Sequence, residues 1–88
     1  MMKSTKEKYE YCLKITESAL SKVEVIKRKE ADLLLKWVRD YKKDAEYYSE
    51  KMDFATALEA IAYAHGFIDS AVLLGVVKIK DYHLQKEF

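Results

Sequence analysis

"FATALEAIAYAHGFIDSAVLLGV" spans residues 54–76, and its reading decides the fold. The chain as a whole is 35% charged, yet this stretch offers only Thr56, Glu59, His65, Asp69 and Ser70 as clearly polar side chains. At about 100° per residue, Phe54, Leu58, Ile61, Ile68 and Val72 form one apolar stripe of a helix. Ala60, Tyr63, Phe67 and Leu74 form a second stripe, roughly 150° away. Glu59, Asp69 and Ser70 fall in the opposite gap, beside the small residues Ala55, Ala62 and Gly66. A helix with two apolar faces needs two neighbours. Any apolar surface left over once both are seated is a surface for association.

The ends of this helix are marked. Asp53 is a good N-cap, since its carboxylate accepts from unpaired N–H groups and complements the positive helix end. Gly75 suits the position just past the C-terminus. The stretch is long enough to cross a bilayer, at roughly 1.5 Å per residue. Its polar residues argue otherwise: an acidic side chain at bilayer centre costs roughly 2.5–3.5 kcal/mol, and Glu59, His65 and Asp69 all lie mid-segment. No membrane span is expected.

Two further helices are expected upstream. The first covers about residues 5–23, opened by Ser4 and Glu7 at capping-box spacing. Its stripe is Tyr9, Cys12, Leu13, Ala19, Leu20 and Val23, with Thr16 inside it. The second covers about 29–51, with a seam of Leu34, Val38, Tyr41, Ala45, Tyr48 and Met52 at alternating spacings of four and three. The segment "KVEVIKRKE" between them has no breaker, so the turn is placed at about 24–29. The third helix covers 54–74, and residues 76–88 read as a β-like run and a polar end, an extended tail. The fold class is all-α: an up-and-down three-helix bundle, one domain over residues 1–88, with a short extended C-terminal tail.

Composition narrows function. The 16 basic and 15 acidic residues nearly cancel, which removes the electrostatic footprint expected for nucleic acid or an anionic membrane. The tyrosines could stack on bases, but they follow packing seams, and Lys42, Lys43 and Lys51 alternate with carboxylates. The basic run Lys27–Lys29 is short and bounded by Glu24 and Glu30. A nucleic-acid association is therefore a secondary reading. One cysteine, Cys12, fits a reducing compartment and an inert buried thiol. The opening residues lack an apolar leader segment, and a cytoplasmic location is expected.

His65 is the leading candidate for chemistry. It falls in the Phe54–Val72 stripe, with Asp69 one turn on and able to fix its tautomer. A hairpin turning at 52–53 would bring Asp40, Tyr41 and Asp44 opposite it. Such a cluster can hold a divalent ion or move protons, or it can be a satisfied polar network that fixes helix register. No catalytic residue, metal or cofactor is assigned. Neither arginine stands shortly before a histidine as an RNA-cleaving helix would need, and no glycine-rich phosphate loop exists. Leu33, Trp37, Tyr63, Phe67 and Leu74 are the residues for a partner surface, facing either an unidentified protein or a second copy.

The segment from Tyr41 to Gly75 resembles the archaeal family called domain of unknown function 357. The resemblance rests on Tyr41, Asp44, Ala45, Tyr48, Lys51 and Asp53, the run Ala57, Glu59, Ala60, Ile61, Tyr63 and Ala64, then Gly66, Asp69 and Gly75. It implies a small all-helical, archaeal, cytoplasmic bundle and carries no activity or ligand. Met52 departs from the family pattern, which more often has glycine before the aspartate; either the turn is less sharp or Met52 is strained. A weaker likeness to helical-repeat hairpins reflects shared packing, since no repeat is present. The function expected is a non-enzymatic interaction or scaffold module, with self-association as one mode. The alternative is a metal- or ligand-binding site on Tyr41, Asp44, His65 and Asp69.

Overall fold

A computed structural model describes residues 4–84. The chain forms α1 (Thr5–Ser21), β1 (Val23–Val25), α2 (Arg28–Glu50), α3 (Phe54–Leu73) and β2 (Val77–Ile79). Three helices pack together and carry a small two-stranded ribbon, β1 antiparallel to β2. The three helices start and stop within two residues of the positions read from the sequence.

Each start has a local cause. Ser4 Oγ accepts from the Glu7 N–H at 3.1 Å and the Glu7 carboxylate accepts from the Ser4 N–H at 3.3 Å, a complete capping box. Asp53 accepts from the Thr56 N–H at 3.2 Å and from its hydroxyl at 2.7 Å. Those two bonds hold the Asp53 carboxyl below its ordinary pKa.

The ends of α2 and α3 share one construction. Past α3, the Gly75 N–H bonds to Val72 O at 3.1 Å and the Val76 N–H to Ala71 O at 3.0 Å. Past α2, the Met52 N–H bonds to Ser49 O and the Asp53 N–H to Tyr48 O, both at 2.9 Å. This double bond pattern needs a left-handed residue. Gly75 supplies it at φ 70° and Met52 at φ 62°. Glycine takes that conformation freely; a side chain there costs about 1 kcal/mol. The turn is therefore as sharp as a glycine would make it, and Met52 carries the strain.

The core fills the space where the three helices meet. Cys12, Val38, Ala45, Ala57, Ile61, Ala64 and Ile68 are fully buried, each large aliphatic side chain contributing roughly 1.5–3 kcal/mol. The α2 seam ends one turn earlier than expected: Tyr48 and Met52 are exposed.

The ribbon was not foreseen as a pair. Val23 faces Ile79, Glu24 faces Lys78 and Val25 faces Val77. Alternation puts the valines and Ile79 inward and the opposite charges outward. The Ile26 and Lys27 N–H groups both bond to Val76 O, at 2.9 and 3.0 Å, and so tie the α1–α2 connection to the end of α3. A three-residue pair alone is marginal; here Val76, Val77 and Ile79 are buried against the helices. The expected tail thus begins as a strand, and its residues 85–88 lie outside the described part. Among the described residues no helix is long and apolar enough to cross a membrane.

Candidate functional site

His65 is buried on the side of α3 that meets α1. Its Nδ1 lies 3.1 Å from Thr16 Oγ1 and its Nε2 lies 2.9 Å from the Tyr82 hydroxyl. Tyr82 also donates a short hydrogen bond to Asp69 Oδ1. The donor count assigns the tautomer. A carboxylate can only accept, so the single phenolic hydrogen goes to Asp69. The Tyr82 oxygen then accepts from Nε2–H, and Nδ1 accepts from the Thr16 hydroxyl. Four side chains form one directed chain: Thr16, His65, Tyr82, Asp69.

Distant segments build this chain. Thr16 comes from α1, His65 and Asp69 sit one turn apart on α3, and Tyr82 follows β2. Asp81, at φ 57°, makes the reversal that brings the Tyr82 ring back over the imidazole, with centroids 5.8 Å apart. Aspartate is one of the few residues that tolerate this conformation. Burial lowers the His65 pKa, although the nearby Asp69 pulls it up. Burial, and then the bond to Asp69, push the Tyr82 hydroxyl well above its ordinary value. Both nitrogens of the neutral imidazole are thus hydrogen-bonded inside the core, Nδ1 to Thr16 and Nε2 to Tyr82. Among the described residues no buried side-chain polar atom lacks a partner, and no three His, Cys, Asp or Glu side chains are grouped to hold a metal ion.

The expected neighbourhood of Asp40, Tyr41, Asp44, His65 and Asp69 divides. His65 and Asp69 come together. Tyr41 instead stacks on Tyr63 at 5.5 Å and on Phe67 at 5.7 Å between centroids. Asp40 pairs with Lys36 at 2.9 Å, and Asp44 is exposed. Hairpin register alone suggested the grouping. Azimuth decides otherwise: Tyr63 and Phe67 flank His65 in sequence but point roughly 160–200° away from it round the helix. Thr16 and Tyr82 were missed as partners. Thr16 carried a signal, a polar side chain inside an apolar stripe; Tyr82 carried none beyond its type.

A second region lies on the far side of α3. Trp37 stacks on Phe67 at 6.2 Å and 16°, and Trp37, Tyr41, Tyr63 and Phe67 form a continuous aromatic row between α2 and α3. The row is open to solvent. Trp37 is 44% exposed, Tyr63 63%, Leu33 60%, Leu73 69% and Leu74 67%. An open groove of about 740 Å³ runs beside it, lined by Glu59, Ala62, Tyr63, Gly66, Phe67 and Ser70. Of the residues expected on a partner surface, Leu33, Trp37, Tyr63 and Leu74 are exposed and Phe67 is half-buried; Leu73 was not foreseen.

Residues 10–77 match the family model described as "Protein of unknown function (DUF357)". That is over three quarters of the chain, and the chain belongs to this family. The match reaches well beyond the 41–75 segment that carried the resemblance, taking in most of α1 and all of β1. No curated protein and no solved structure matches.

Proposed function

We propose that this member of the family is a non-enzymatic helical interaction module working in the cytoplasm. Its binding face is the row of Leu33, Trp37, Tyr63, Phe67, Leu73 and Leu74. The observation that carries the proposal is the exposure of Trp37 and Tyr63 in an ordered aromatic stack. Aromatic side chains held rigid at a surface lose little entropy on docking and supply the large contacts that dominate interfaces. The His65 chain supports the same reading from the other side, because its donors and acceptors are spent on one another and serve as an internal lock. Its adjoining cleft, about 190 Å³ and lined by Ser18, Lys22, Lys80 and His83 among others, is small beside the open groove.

A photo-crosslinking amino acid placed at Tyr63 of the full chain, in cells, tests the proposal. The control position is Lys14, exposed on α1. Covalent adducts at 63 and none at 14 are expected. A chain that crosslinks to nothing at 63 would overturn the reading.

A further inference from the structure

We infer that the occupant of this face is a second copy of the same chain, docked with the two α3 helices antiparallel across a two-fold axis near Gly66. The inference rests on the interaction reading above and names its partner.

Area comes first. Leu33, Trp37, Tyr63, Leu73 and Leu74 together expose the equivalent of about three large side chains, or about 600 Å² at roughly 200 Å² each. A stable interface takes roughly 800 Å² from each partner, a little over half of it apolar. The patch alone meets that apolar share. It also sits at the upper end of what a monomer ordinarily leaves open, roughly 300–600 Å².

Gly66 supplies the second argument. A glycine inside a helix costs about 1 kcal/mol relative to alanine. A Cβ at Gly66 would meet nothing within 4 Å, so packing within the chain does not require the glycine. Its use lies outside the chain, where a bare backbone lets another helix approach closely. Ser70 lies one turn on and turns its hydroxyl back onto Gly66 O at 3.0 Å, so that hydroxyl is not directed outward. Ala62 lies one turn before. Two copies crossing at Gly66 set the Ala62 of each against the Ser70 of the other and lay each Tyr63 along the mate's groove.

Charge then selects the orientation. The end of the face near the α2–α3 turn is acidic on balance: exposed Asp44, Glu50, Asp53 and Glu59 outnumber exposed Lys43 and Lys51, and Glu46 is paired with Lys42 at 2.9 Å. The other end carries exposed Lys27 and Lys29 against Glu30, while Arg28 is engaged with Asp32 at 3.6 Å. An antiparallel two-fold brings the acidic end of each copy to the basic end of the other. A parallel pair would set like ends together. The two-fold contact is also self-closing, so it stops at a dimer.

Sedimentation equilibrium on the full chain tests this. A dimer dissociating in the micromolar range is expected. Gly66→Leu should raise the dimer Kd roughly tenfold or more while leaving the monomer's melting temperature unchanged or higher, because leucine is the better helix former. Glu59→Lys and Lys29→Glu should each weaken the dimer, and the two together should restore part of the loss. A strict monomer at several hundred micromolar, or a dimer indifferent to Gly66→Leu, overturns the inference. Adducts from position 63 separate the two readings: self-adducts support the pair, adducts to another protein alone overturn the pair and leave the interaction module standing, and no adducts overturn both.

Discussion

The two flanks of α3 were built by opposite means. The flank facing α1 buries an imidazole and closes every hydrogen bond around it, through partners on α1 and beyond β2. The flank beside α2 leaves aromatic and aliphatic side chains in water, ordered but uncovered. Polar groups pay off in a core only when all are matched, so the first flank is an all-or-nothing lock that fixes which segments meet. Apolar surface needs no such matching, so on the second flank Tyr41 and Phe67 pack against the core while the uncovered side chains beside them are available for another molecule. One helix thus separates the work of specifying the structure from the work of presenting a surface.

The largest expected contrast comes from removing one residue on each flank. His65→Ala leaves a cavity and an unpartnered Thr16 hydroxyl, and should cost about 2–4 kcal/mol in urea unfolding. Tyr63→Ser, two residues away on the open flank, should cost under about 1 kcal/mol to the monomer. Equal losses would erase the distinction between the two flanks.

Acid and alkali should act on the closed flank. Burial raises the Cys12 thiol from 9.0 to about 11, and the Tyr82 hydroxyl is raised as well. A raised pKa means stability that is whole below the unfolded value and lost as pH climbs towards the folded one. Cys12 alone should then withdraw about 2–3 kcal/mol between pH 9 and 11. His65 is lowered from 6.5, so its contribution is whole above that value and fades as pH falls below it. Melting temperature against pH should show both shoulders. Cys12→Ala should flatten the lower part of the alkaline one, and an unaltered profile in that variant would remove the thiol as its cause.

Trp37→Ala trims the open flank at its stack on Phe67. A half-exposed ring stacked on Phe67 should contribute about 1 kcal/mol to the chain alone, and dye binding to the apolar groove should change with it. A loss several times larger would mean that the aromatic row belongs to the core. The smallest effect calibrates the frame that holds both flanks: Met52→Gly should stabilise by about 0.5–1 kcal/mol, because Met52 at φ 62° takes a role that Gly75 fills without strain. A neutral or destabilising result in thermal melts would show that the methionine side chain repays its backbone.

Much of this was legible in the residues. Asp53, Gly75 and the Ser4–Glu7 pair announced helix ends, because caps act over three or four residues. The two stripes of residues 54–74 announced two neighbours, because helical period converts directly to azimuth. His65 stood out as a polar member of an apolar stripe that needed a partner, and Thr16 lay inside another such stripe. That each partnered the other was not legible, since 49 positions separate them. The ribbon was hidden for the same reason. Three residues are too few for a periodic signal, and Val23 meets Ile79 only once all three helices are in place. Tyr41 was misplaced because register along a hairpin was used without azimuth around it.

That ribbon also sets an order of events. The α2–α3 hairpin joins neighbouring segments through a three-residue turn, so its contacts form at low entropic cost. The strands at residues 23 and 79 find each other only after that hairpin has carried one towards the other. Contact order predicts that the clasp closes last on folding and, by the same geometry, opens first, which amide exchange at Val25 and Val77 checks. What its opening would release is Tyr82, the tyrosine that latches the imidazole, so a loss of pairing at residues 77–79 would be felt at the centre of the molecule.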